Sequence, residues 1–99
     1  MIKGTTPTHH FELPFEASRV AAARVIYKQG NIEVLRKETE DFKKDGNRIS
    51  VTFSQDETFL FDSRISVKCQ LRVRDISDKV MNTKPMIISI EECLDCEVL

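Results

Sequence analysis

The sequence predicts an all-β protein: an antiparallel two-sheet β-sandwich of immunoglobulin-like, Greek-key type, with six or seven short strands. Two observations carry that expectation. The first is a period-two alternation of apolar and polar residues, which puts one face of a strand on a core and the other in water. The second is turn chemistry at short intervals. Gln29-Gly30-Asn31, Lys44-Asp45-Gly46-Asn47 and Asp75-Ile76-Ser77-Asp78 all supply residues that tolerate the backbone conformations of hairpins. A small barrel is the second architecture that fits. The 99 residues suffice for one core, and no repeat, low-complexity run or shift in composition marks a second domain. Residues 1–99 are therefore read as a single domain with a loose N-terminus, 1–8.

In chain order, Phe11, Leu13 and Phe15 alternate and define the first strand. Residues 17–28 are ambiguous, because Val20, Ala23 and Tyr27 also share a helical face and alanine favours helix. The β-branched and aromatic end Val25-Ile26-Tyr27 and the following Gly30 turn decide for a strand. Gly30 then joins it to a strand near residues 31–38, and Gly46 admits another in which Ile49, Val51 and Phe53 point inward. Ser54-x-x-Glu57 has the spacing of a capping box, so at most one helical turn is expected near 54–58, with Phe59 and Phe61 plugging one end of the core. The alternation is strongest over residues 64–74, with Ile65, Val67, Cys69, Leu71 and Val73 inward. Met86, Ile88 and Ile90 make the last strand.

Composition excludes several function classes. With 40% hydrophobic and 31% charged residues and a net charge of -1, the chain is too apolar to be disordered and too balanced to bind nucleic acid by bulk charge. No segment approaches the roughly 20 apolar residues of a membrane span, and the opening lacks the apolar stretch of a secretory signal. No phosphate-binding glycine loop, zinc-protease helix or nucleophile elbow is present. Carboxylates are scattered among bases in the manner of a solvated surface, so an enzyme is not expected. Zero Trp and one Tyr also count against a carbohydrate-binding platform.

Two constellations stand out. Cys93-Leu94-Asp95-Cys96 is formally a C-x-x-C, the spacing that lets two thiolates share a metal. Structural zinc sites show two ligand pairs, and here only His9 and His10 could supply the second, so the thiols are read as reduced and incidental and no cofactor is expected. The other is a basic row, Arg64, Lys68, Arg72 and Arg74, on the polar face of the strongest strand. It is a docking strip for an acidic partner or for the acidic tail of a neighbouring copy, or else a surface neutralised by neighbouring acids such as Glu91. The run from Pro85 to Leu99 contains Glu91, Glu92, Asp95 and Glu97 and no base.

Across nearly the whole chain, one set of segments resembles a family of small prophage proteins of Gram-positive gut bacteria. These are Gly4-Thr5-Thr6-Pro7-Thr8 with His10-Phe11-x-Leu13-Pro14-Phe15, Ile26-Tyr27-Lys28-Gln29, Thr52 to Thr58, Gln70-Leu71-Arg72-Val73 and Glu97-Val98-Leu99. More distantly, the arrangement is similar to the N-terminal β-sandwich of phage baseplate upper proteins. The resemblance implies a non-enzymatic structural or accessory part of a tail or baseplate, with no catalytic residue to carry over. Related tails carry acids where this chain has Cys93 and Cys96. The implied partners are further copies of the chain or other tail and baseplate proteins, with neither nucleic acid nor membrane involved. The implied location is the bacterial cytoplasm during assembly and, if the protein is retained, the virion. The alternative is a small binding module that takes a metal or ligand through the C-terminal C-x-x-C.

Overall fold

The computed structural model describes residues 1–99 as eight strands in two antiparallel sheets. The strands are β1 (Thr8–Glu12), β2 (Val20–Gln29), β3 (Ile32–Lys37), β4 (Lys43–Asp45), β5 (Arg48–Thr52), β6 (Val67–Asp75), β7 (Val80–Asn82) and β8 (Met86–Ile88). The small sheet runs β1-β5-β4 and the large one β3-β2-β6-β7, with β8 beside β7 on the same edge of β6. The eighth strand arises at that edge. Thr83 bonds β6 through its backbone N–H to Leu71 O at 2.9 Å and accepts the Leu71 N–H on its hydroxyl at 3.1 Å. Pro85, which has no N–H to donate, then ends the pairing, so β7 and β8 form as two three-residue strands instead of one.

The two sheets bury one core between them. Phe11, Ile49, Val51 and Phe53 come from the small sheet and its exit, and Val25, Tyr27, Val67, Cys69, Leu71 and Val73 from the large one. At its centre the Tyr27 ring meets Phe53 edge-on at 5.0 Å and Phe61 at 6.3 Å between centroids. Such contacts add about 0.5–1.5 kcal/mol beyond the area they bury.

β2 explains its own ambiguity in sequence. Its register against β6 slips between Val20 and Ala22, so Ala21 bulges out of the ladder. The buried positions therefore run Val20, Ala23, Val25, Tyr27. That single three-residue step is what imitates a helical spacing.

The capping box forms as expected: Glu57 N donates to Ser54 Oγ at 3.2 Å, Ser54 N donates to Glu57 Oε1 at 2.8 Å, and α1 (Gln55–Phe59) follows as a short helix. Glu57 has a second role. Lys37 points into the sandwich, and its Nζ donates to both Glu57 oxygens, at 2.9 and 2.7 Å, while lying 5.4 Å from the Phe53 ring centre. One carboxylate thus caps a helix and neutralises a buried ammonium. Phe61 is buried, whereas Phe59 remains partly exposed.

Several expectations change. The strong strand begins at Val67, not at residue 64, and Ile65 is 45% exposed rather than inward. Buried Gln29 is the cause. Its side chain donates to Asp62 O and Ile65 O at 2.7 and 2.8 Å and accepts the Asp62 N–H at 2.9 Å, which holds residues 62–65 as a turn. Met86 is 37% exposed because it lies at a hollow beside β1, at the rim of the core. Residues 1–8, expected to be loose, are tied down, Thr8 as the first residue of β1. Ile2 bridges to Glu91, Gly4 N donates to Thr58 Oγ1 at 2.9 Å, and Phe53 N donates to Pro7 O at 2.9 Å.

Candidate functional site

The sandwich leaves the outer face of the large sheet uncovered, and the period-two alternation fills it with cations. On β2 the outward residues are Ala22, Arg24, Ile26 and Lys28; on β6 they are Lys68, Gln70, Arg72 and Arg74. The register places Lys28 opposite Lys68, Ile26 opposite Gln70, Arg24 opposite Arg72 and Ala22 opposite Arg74. Side chains directly opposite in an antiparallel pair stand about 4.5–5.5 Å apart at Cβ, and like charges there repel. Two of the four rungs at the centre of this sheet are therefore like-charged.

Neutralising acids occur on one side only. On β3 and just past it, Glu38 Oε2 accepts Arg24 Nε at 3.1 Å, and Arg36 reaches Glu33 at 2.8 Å and Glu38 at 3.6 Å. Hydrogen bonding to Arg36 holds the Glu33 carboxyl below its ordinary range, with burial opposing. Lys28, Lys68, Arg72 and Arg74 form no ion pair. The Arg72 guanidinium is held instead by the neutral side-chain oxygen of Asn82, at 3.0 Å.

Three of the four residues in the expected basic row lie on one strand face. Lys68, Arg72 and Arg74 share the outer face of β6, whereas Arg64 precedes the strand and folds back onto Asp62, with Nε and Nη2 donating to its carboxylate at 3.1 and 2.9 Å. Those hydrogen bonds, with the Arg64 backbone N–H, hold the Asp62 carboxyl down to about 2. Arg64 is spent locally. In its place the fold brings up Arg24 and Lys28 from β2, which no local pattern singled out. Their alternation was visible, but only the β2–β6 register sets them against Lys68 and Arg72.

Nor do the acids of residues 91–97 cover the face. Glu91 pairs through its backbone with residues 1–3, Glu92 reaches Lys3 at 4.0 Å and the Ser63 hydroxyl, and Asp95 accepts the Glu97 N–H at 2.9 Å. Around Ile26 the cations Arg24, Lys28, Lys68 and Arg72 enclose a hollow of about 240 Å³. Beside it a second, of about 340 Å³, runs along Arg24, Arg72 and Arg74 to Val80.

No family model, curated protein or solved structure matches the chain.

A third hollow, of about 480 Å³, opens between β1 and β8 and is lined by His9, Cys69 and Met86 among others. Cys69, His9 and the adjoining Tyr27 are each shifted toward the neutral form. Burial raises the Cys69 thiol, and burial with the nearby Cys69 raises the Tyr27 phenol far beyond its ordinary range. Burial, then the N-terminal ammonium and His10, lowers His9. This arrangement suits a neutral imidazole accepting from a phenol, not a thiolate nucleophile beside a charged base. The Cys93–Cys96 pair lies elsewhere. Cys93 is half-buried and Cys96 exposed, His9 is engaged with Tyr27, and no group of three or more His, Cys, Asp or Glu side chains converges on a metal-sized site.

Proposed function

We propose that the protein is a non-enzymatic structural or accessory component that works by protein–protein contact, docking an acidic partner on the outer face of its large sheet. The observation that carries this reading is the like-charged pair of rungs, Lys28 with Lys68 and Arg24 with Arg72, left without a carboxylate on the β6 side. A fold gains nothing in stability from such an arrangement, whereas an incoming set of carboxylates relieves it. Guanidinium groups also offer paired donors that fit a carboxylate. The sequence resemblance to small prophage proteins suits a tail or baseplate setting.

The reading is tested with fluorescently labelled poly-glutamate, followed by anisotropy at low and high ionic strength. Binding is expected at low salt, falling steeply as salt rises. The double variant Arg72→Glu/Arg74→Glu should lose it. Equal binding by the variant, or preference for a single-stranded oligonucleotide of equal charge, overturns the reading.

A further inference from the structure

The same chain carries a segment complementary to this face. Residues 91–97 are Glu-Glu-Cys-Leu-Asp-Cys-Glu. The segment is fastened before and after: Glu91 N donates to Met1 O at 2.8 Å and Glu92 contacts Lys3, while Leu99 exchanges two hydrogen bonds with the Gln55 amide, at 2.7 and 3.1 Å. Between these anchors Leu94 is fully exposed, flanked by the exposed carboxylates of Glu92, Asp95 and Glu97. The segment is an apolar knob ringed by acids. The hollow over Ile26 is the converse, an apolar floor ringed by Arg24, Lys28, Lys68 and Arg72.

Knob and hollow do not meet within one molecule: no carboxylate of residues 91–97 pairs with a cation of the sheet face. We infer that the occupant of the basic face is the Glu91–Glu97 segment of a second copy of this chain, with Leu94 seated over Ile26 and its flanking carboxylates among the four cations. The inference rests on the docking reading above and adds the identity of the occupant. Three features favour it over an unrelated acidic protein. The acids stand in a tethered segment, so little ordering entropy opposes docking. The hollow has an apolar floor that a purely acidic chain would leave unfilled. Both halves are present in every copy. Because knob and hollow are different surfaces of one chain, the contact either propagates head-to-tail into a ring or filament or closes reciprocally as a two-fold dimer in which each copy's knob fills the other's hollow.

The test uses the full chain, in light scattering coupled to size exclusion across a concentration series at low and high ionic strength. Wild type should form salt-sensitive oligomers. A face variant, Lys68→Glu/Arg72→Glu, and a knob variant, Asp95→Lys/Glu97→Lys, should each be monomeric, with association weakened at least about tenfold. Mixed together, these two should associate again, since one contact pairs the native knob with the native face and the other pairs the two reversed surfaces. A wild type that stays monomeric at every concentration, variants that associate as well as wild type, or a mixture that fails to associate overturns the inference. The two readings separate cleanly. If wild type is monomeric yet still binds labelled poly-glutamate through Arg72 and Arg74, the face docks a foreign acidic partner. If it binds no acidic probe, both readings fall.

Discussion

His9 Nδ1 lies 2.9 Å from the Tyr27 hydroxyl, a bond that ties the edge strand of the small sheet to the middle of the large one. The phenol keeps its proton, because burial raises it far above its ordinary range, so tyrosine donates and the imidazole accepts on Nδ1. The His9 ring also stands edge-on to Phe53, 4.8 Å between centroids. A protonated imidazole could not accept this bond. Burial, the N-terminal ammonium and His10 all lower the His9 pKa below its ordinary 6.5. The folded state then binds this proton less readily than the unfolded chain does. The contribution is fully present above pH 6.5 and is lost as pH falls through the lowered folded value. His9→Phe should flatten the decline in urea-unfolding free energy as pH falls below 6.5. Tyr27→Phe should cost about 1 kcal/mol at pH 7.5.

The Lys37–Glu57 pair is unequal in its burial, with side-chain exposures of 10% and 27%. Removing the carboxylate leaves a buried ammonium unpaired and deletes the Glu57 half of the α1 capping box, whereas removing the amine leaves a carboxylate that water can reach. Glu57→Ala should therefore cost about 3 kcal/mol, and Lys37→Met, which keeps its stem against Phe53, about 1 kcal/mol or less. Burial pushes the Glu57 carboxyl up, but hydrogen bonds from Lys37 and Ser54 prevail and hold it below 4.5. Its contribution is accordingly present above pH 4.5 and lost as pH falls through the depressed folded value. Chemical denaturation of the two variants checks the order, and an acid titration of wild type checks the sign.

Like-charged rungs predict that function and stability oppose one another. Lys68→Glu turns the Lys28 rung into an opposite-charge pair and should raise unfolding free energy by about 0.5 kcal/mol. It should weaken capture of acidic probes at the same time. Added salt should stabilise wild type more than the variant, since it screens a repulsion that only wild type retains. A variant less stable than wild type at low salt would count against the geometry of the face.

Gly4 has φ +79° and sits against the Phe59 ring, where a Cβ would come within 2.8 Å of Cζ. Gly4→Ala should cost about 2 kcal/mol, the strain of a left-handed alanine plus a displaced ring. Gly30, at φ +61° with open space around it, meets the strain alone, so Gly30→Ala should cost about 1 kcal/mol. Thermal denaturation of both variants measures the difference.

The legible parts of this fold are those governed by local patterns. Ile49, Val51 and Phe53 face inward as their alternation requires, and Ser54 with Glu57 closes the helix cap at its expected spacing. Tyr27 and Val25 lie in a strand, as the β-branched and aromatic run indicated. What escaped was set by partners remote in sequence. Ile65 continues the alternation perfectly, yet Gln29, 36 residues away, takes its carbonyl and starts the strand two residues later. Arg64 looked like the first member of a basic row, but Asp62 claimed it. The full cation cluster could not be read because it depends on the register of β2 against β6, including the bulge at Ala21. The Lys37–Glu57 pair was invisible for the same reason: two ordinary surface residue types meet inside only after the sheet and helix are in place.

Cys69 is buried on β6, its thiol held protonated by burial, while Cys96 is exposed and Cys93 half-buried in the segment after Ile90. An unmodified molecule therefore carries its own clock. A thiol reagent should consume two sulfhydryls promptly and the third only when the sandwich opens, so the lag of that last reaction times how often the two sheets part.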